Sequence, residues 1–207
     1  MADRNALPEG LKDFALDGKA ALIIGAEHPV GRVAAITLAE AGAQLLLASQ
    51  DPGTEKQLNA VAKEVTGAGG KASIQVQTAA VRADVRATID LTIKELGGLD
   101  ILVTALDHPF YGPAEAAEDS DYDRVMEYNF KALWVACQEV GRVMLERGGG
   151  VIVNLSTVIA ERGVPNASLY CAGKGAVRNL CRALALEWAR SNIRINMIEC
   201  GWMDEPG

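Results

Sequence analysis

Short apolar runs alternate with helix-patterned stretches along this chain, and that alternation constrains the fold more than any single motif. The runs Ala20–Ile24, Gln44–Ser49, Ser73–Gln77, Asp100–Thr104, Val151–Leu155 and Ile193–Ile198 have strand length, and Ala20–Ile24, Leu45–Ala48, Ile101–Val103 and Val151–Val153 are continuously apolar. Continuous apolarity marks a strand buried on both faces, as in a parallel sheet sandwiched between helices. Between these runs, apolar residues recur at helical spacing over Pro29–Ala41, about Thr54–Val65, about Asp84–Leu96, about Asp121–Arg147, and around Tyr170 on to about Arg190. Right-handed crossovers then predict an α/β, doubly wound parallel sheet with helices on both faces and strand order 3-2-1-4-5-6. Residues 1–17 read as an arm and 18–207 as one domain, with no repeat or linker to divide it.

The segment from Gly150 to Lys174 carries the chemistry. It leaves the strand Val151–Leu155 on two hydroxyls, Ser156 and Thr157, and enters a helix holding Tyr170 and Lys174. These two lie one helical turn apart, about 6 Å along the axis and on nearly the same face. An ammonium beside a phenol lowers the phenol's pKa, which suits proton exchange near neutral pH. A hydroxyl at the strand end would hold a substrate oxygen against that phenol.

In a doubly wound sheet the ligand sits beyond the carboxyl ends of the strands. The first turn, Gly25-Ala26-Glu27-His28-Pro29-Val30-Gly31, has the strand–turn–helix setting of a phosphate-binding turn, with free N–H groups and a positive dipole end at the helix start. Gly25 allows the tight turn, and Gly31 lets the helix approach the sheet. At the end of the second strand stands Ser49-Gln50, where an acid would select the ribose 2′-hydroxyl of NAD. Its absence leans toward NADP, with His28 and Arg32 as the nearest bases.

Composition closes off other classes. The 207 residues are 49% hydrophobic and 23% charged, enough to bury a core. A net charge of −7 and a pI near 4.9 argue against nucleic acid and against an anionic membrane surface. No apolar run reaches the roughly 18–20 residues of a membrane helix, and no secretory h-region precedes the arm, so a cytoplasmic protein is expected. Cys137, Cys171, Cys181 and Cys200 show neither C-x-x-C pairing nor ligand spacing with the histidines, so reduced thiols and no metal site are expected.

With Gly25…Gly31, Asp100–Val103, Asn129, Val153–Thr157, Tyr170…Lys174 and Gly201 in this order, the chain resembles the short-chain dehydrogenase/reductase family from about Leu16 to Pro206. The resemblance implies a Rossmann-type fold and hydride transfer between NADP(H) or NAD(H) and the hydroxyl or carbonyl carbon of a small alcohol or ketone. It implies Tyr170 as general acid or base and Lys174 as the cation that lowers the phenol's pKa and bonds the nicotinamide ribose. It implies Thr157 as the substrate-orienting hydroxyl and Asn129 as the holder of a relay water. Gly25, His28, Gly31, Ser49, Gln50, Lys174 and Gly201 would meet the cofactor.

The departures fall on the cofactor side. Pro29 replaces a glycine, Thr104-Ala105-Leu106-Asp107 replaces the usual Asn-Asn-Ala-Gly with loss of a strand-stabilising polar element, and the acid after the third strand is missing near Thr78-Ala79. Only Gly201 remains of a Pro-Gly pair, and Glu205 stands where a Thr commonly meets the carboxamide. A non-catalytic partner subunit is therefore the alternative reading. The family's substrate lid and seventh strand do not follow in this sequence, so Ile193–Ile198 is expected to be an open edge that a partner or further chain covers. Trp134, Val135, Leu180, Leu184 and Trp188 exceed what one sheet face can bury, and predict a homodimer or tetramer through helices near 121–147 and 167–190.

Overall fold

Alternate residues of each strand feed two separate cores, one on either side of a single sheet. A computed structural model describes residues 9–202. Its strands are β1 (Ala20–Ile24), β2 (Gln44–Ala48), β3 (Lys71–Gln75), β4 (Ile101–Thr104), β5 (Gly150–Thr157) and β6 (Ile193–Cys200). All neighbours are parallel and the order is β3-β2-β1-β4-β5-β6, as the sequence predicted. Side chains alternate between faces along a strand. Ala21, Ile23, Leu45 and Leu47 accordingly pack with Ala35 and Ala39 of α1 (Pro29–Glu40) and with Leu58, Val61 and Val65 of α2 (Glu55–Gly67). Leu22, Ile24, Leu46 and Leu102 pack on the other face against α3 (Arg82–Leu96), α5 (Ala132–Arg147) and α6 (Ser168–Trp188).

The third strand begins two residues earlier than the sequence indicated, because Lys71–Gln75 pairs with Gln44–Ala48 and places the polar Gln77 beyond it. The helix expected over residues 121–147 is not continuous. It is α4 (Asp119–Met126), a π turn at Glu127–Lys131, and then α5. Asn129 sits in this break and turns inward: it is fully buried and bonds main-chain groups of His108 and Val125. The expected loss of a polar tie after β4 is also corrected. Thr104 Oγ1 donates to Asn154 Oδ1 at 2.7 Å, linking β4 to β5 in the core.

Much of the apolar helix surface is used internally. Val135 is buried, and Leu180, Leu184 and Trp188 pack against the core; a Cβ on Gly141 would lie 2.3 Å from the Trp188 ring. Trp134 stays 37% exposed beneath the Arg82 guanidinium, and Leu186 is 82% exposed. Among the described residues β6 pairs only with β5 and forms one edge of the sheet. No described helix is long and apolar enough to cross a membrane.

Candidate active site

Chain order places the topological switch between β1 and β4, since β2 and β3 lie to one side and β5 and β6 to the other. Ligands of doubly wound folds bind at such a switch, outside the carboxyl ends of the strands. A cavity of about 370 Å³ opens there, lined among others by His28, Asp107, Thr157, Tyr170, Lys174 and Gly201. That volume is near the lower end for small-molecule sites.

The turn from β1 to α1 is built for close approach. Gly25 has φ +81°, and a Cβ on Gly31 would sit 2.2 Å from the Gly25 carbonyl oxygen. Pro29 opens α1 and His28 precedes it without a side-chain cap, so the first-turn N–H groups have no side-chain acceptor there. On the far wall, Ser156 is 8% exposed and its Oγ is buried without a hydrogen-bond partner. A glycine cradle, an uncapped helix start and an unpartnered hydroxyl fit an anionic, polar ligand such as a dinucleotide.

Tyr170 and Lys174 reach this cavity from α6, and the residue that meets both is Asp107, three residues beyond β4. Tyr170 Oη donates to Asp107 Oδ1 at 2.6 Å. Lys174 Nζ lies 2.8 Å from the same oxygen and donates to the Leu106 carbonyl at 2.7 Å. Asp107 Oδ2 lies 3.8 Å from His28 Nε2. This overturns the expectation that the ammonium lowers the phenol's pKa. Burial, then the Asp107 charge and hydrogen bond, push Tyr170 well above the ordinary tyrosine range. Burial also pulls Lys174 below the ordinary lysine value, opposed by Asp107.

Other predicted residues are placed differently. Asn129 gives its amide N–H groups to the carbonyls of His108 (2.8 Å) and Val125 (3.0 Å) and accepts from the His108 N–H (3.1 Å). It therefore fastens the loop that carries Asp107. Ser49 is fully buried, and its hydroxyl donates to the Gln77 carbonyl (3.0 Å) and accepts from the Gln77 N–H (2.8 Å), so no ribose can use it. Gln50 reaches over the end of β1: its amide accepts from Asp107 N–H at 2.8 Å and donates to Asp107 C=O at 3.1 Å. Arg32 is paired with Glu64 of α2 at 2.6 Å, turned to the helix surface. Glu205 lies outside the described residues.

Sequence reasoning missed two carboxylates and one aromatic. Glu27 comes from the glycine turn to the end of β2, where Oε1 accepts from Gln50 N–H (2.6 Å) and Thr54 Oγ1 (3.0 Å) while Oε2 is buried without a partner. Burial raises its pKa. Tyr111 is 66% exposed, with its ring 6.2 Å from that of Tyr170. The advance sign of Asp107 was an acid three residues past the strand at the switch point, in Thr104-Ala105-Leu106-Asp107.

Comparison with known proteins agrees with this geometry. The short chain dehydrogenase family matches residues 19–206. D-threitol dehydrogenase of Mycolicibacterium smegmatis is 35% identical over 90% of this chain and 70% of its own length. Glucose 1-dehydrogenase of Gluconobacter oxydans is 35% identical over 97% of this chain and 78% of its own. The crystal structure of a gluconate 5-dehydrogenase from Burkholderia cenocepacia, in complex with NADP and tartrate, superposes with a TM-score of 0.87 at 34% identity, covering 95% of this chain and 76% of that one.

Proposed function

The chain belongs to the short-chain dehydrogenase/reductase family of NAD(P)-dependent oxidoreductases, and from that premise we propose that it oxidises or reduces a small hydroxylated substrate at the switch-point cavity. When bound, the nicotinamide supplies the hydride donor or acceptor. Tyr170 exchanges the proton at the substrate oxygen, Thr157 orients that oxygen, and Gly25, Gly31 and the start of α1 receive the pyrophosphate. The observation that carries this reading is the convergence of Tyr170, Lys174 and the β5 hydroxyls on one cavity facing the glycine turn.

The dinucleotide preference reads differently from the sequence expectation. Arg32 is committed to Glu64, and the Glu27 carboxylate stands at the end of β2 accepting from the Gln50 N–H, where an acid accepts from a ribose 2′-hydroxyl and repels a 2′-phosphate. NAD(H) is therefore favoured over NADP(H). The relatives act on threitol, glucose and gluconate, so a polyol or sugar-derived hydroxyl is the substrate class to try first. The cytoplasm is the proposed location. Trp134 and Leu186 remain available for a homo-oligomer through α5 and α6, which gel filtration would test against a strict monomer.

Fluorescence titration with NADH and NADPH, followed by turnover on a polyol panel, tests the main reading. Tyr170→Phe is expected to keep dinucleotide binding while turnover falls by about 10²–10⁴-fold. If neither dinucleotide binds at millimolar concentration, the chain is a non-catalytic partner subunit instead.

A further inference from the structure

Asp107 is tied in place by side chains from elsewhere in the chain. Its N–H and C=O are both bonded by the Gln50 amide, and the next residue, His108, is bonded on both main-chain groups by Asn129. The carboxylate therefore lies where the main chain aims it. There it takes the single proton of Tyr170 at 2.6 Å and the Lys174 ammonium at 2.8 Å.

A phenol that already donates to a carboxylate has its lone pairs left to accept. Forming phenolate here would place a second negative charge against Asp107, and the cation that would offset it is turned to Asp107. A carboxylate base stands one hydrogen bond behind the phenol.

We propose that Asp107 is the proton acceptor of this site, working through Tyr170, and that the arrangement is suited to taking a proton from a substrate hydroxyl. The proposal rests on the oxidoreductase reading above and gives it a direction: alcohol oxidation at neutral pH. The substrate O–H bond breaks as a new O–H forms at Tyr170 Oη. The original Tyr170 O–H breaks as one forms at Asp107 Oδ1. The phenol is neutral before and after, and one proton rests on Asp107. The hydride of the same carbon leaves to the family's oxidised nicotinamide. His28, 3.8 Å from Oδ2 and 31% exposed, is the next carrier toward solvent. The titratable groups around Asp107 are Tyr170 and Lys174 from α6, His28 from the turn before α1, and His108 and Tyr111 from its own loop, with Cys200 of β6 beyond Lys174. Carbonyl reduction runs the same path backward.

The first test needs no cofactor. Alkaline titration of phenolate absorbance, with Tyr170→Phe assigning the Tyr170 step, is expected to show Asp107→Asn ionising Tyr170 at least about one pH unit earlier than wild type. An unchanged step overturns the proposal. The second test is steady-state oxidation with NAD+ or NADP+ across pH, in wild type, Asp107→Asn and Asp107→Gly. Both variants are expected to lose about 10²-fold in oxidation kcat, with dinucleotide Kd within a few fold. Wild-type turnover with either variant retaining oxidation overturns the role of Asp107 and leaves the oxidoreductase reading standing. A wild type that binds no dinucleotide, or turns over nothing, overturns both.

Discussion

Tyr170 Oη donates to Asp107 Oδ1 across 2.6 Å, and that one contact reassigns the neighbouring charges. Lys174 is 4% exposed, and its ammonium is divided between Asp107 Oδ1 and the Leu106 carbonyl rather than turned to the phenol. The electrostatics of the site follow from this arrangement.

Lys174→Met is expected to destabilise the fold by about 2–4 kcal/mol, because it strips a partner from a buried carbonyl and leaves Asp107 uncompensated. Adding Asp107→Asn is expected to recover a large part of that loss, since the uncompensated charge is then gone. Urea unfolding of the two single variants and the double variant measures the coupling. Strict additivity would show that the two side chains do not interact.

The raised pKa of Tyr170 predicts an alkaline weakness with a definite sign. The unfolded phenol loses its proton above about pH 10 while the folded one keeps it, so stability falls as pH rises beyond that point, by at most about 1.4 kcal/mol per unit. Lys174, lowered by burial, works in the opposite sense, costing stability at neutral pH and costing less as pH approaches its unfolded value of about 10.4. Unfolding midpoints of wild type and Tyr170→Phe between pH 8 and 11, taken as roughly that span, should converge and then cross as the tyrosine contribution is lost. Parallel curves would contradict the assignment.

The sheet and its order were legible because strands buried on both faces spell themselves as continuous apolar runs, as Ala20–Ile24 does plainly. Tyr170 and Lys174 were legible because helical spacing fixes their common face. The partners of polar groups were not, because they are set by contacts between residues far apart in the chain. Asp107 meets Tyr170 across 63 residues. Gln50 meets Asp107 across 57, so a glutamine that reads as a neutral ribose contact becomes a strap over β1. The π turn at Asn129 was hidden for the same reason: nothing in the local pattern shows that its amide is needed by His108.

That strap makes Gln50→Ala informative. Its amide holds both main-chain groups of Asp107 beyond the end of β1. Removing the amide costs two hydrogen bonds, each worth about 0.5–1.5 kcal/mol. Gln50→Ala is expected to lower stability by about 1–3 kcal/mol and to reduce turnover several-fold as Asp107 loosens. An unchanged Tm with unchanged turnover would mean that the strap does not position Asp107.

Glu27→Gln separates the carboxylate's charge from its hydrogen bonds. An amide oxygen in the same place still accepts from the Gln50 N–H and Thr54 Oγ1, so the local geometry is kept. Stability should not suffer at neutral pH. Burial raises the Glu27 pKa, so the folded state holds its proton above the unfolded pKa of about 4.3 and stability falls as pH rises through the folded value. The amide removes that dependence, and Tm at mildly alkaline pH is expected to be unchanged or higher. Cofactor choice should move in the other direction: with the negative charge gone from beside the 2′ position, preference for NADH over NADPH is expected to drop by about tenfold or more, mostly through tighter NADPH binding. The ratio of the two dissociation constants, taken with the same protein by fluorescence titration, reads this directly. A ratio unchanged between wild type and Glu27→Gln would place the ribose away from Glu27 and return the choice between the two cofactors to His28 and its neighbours.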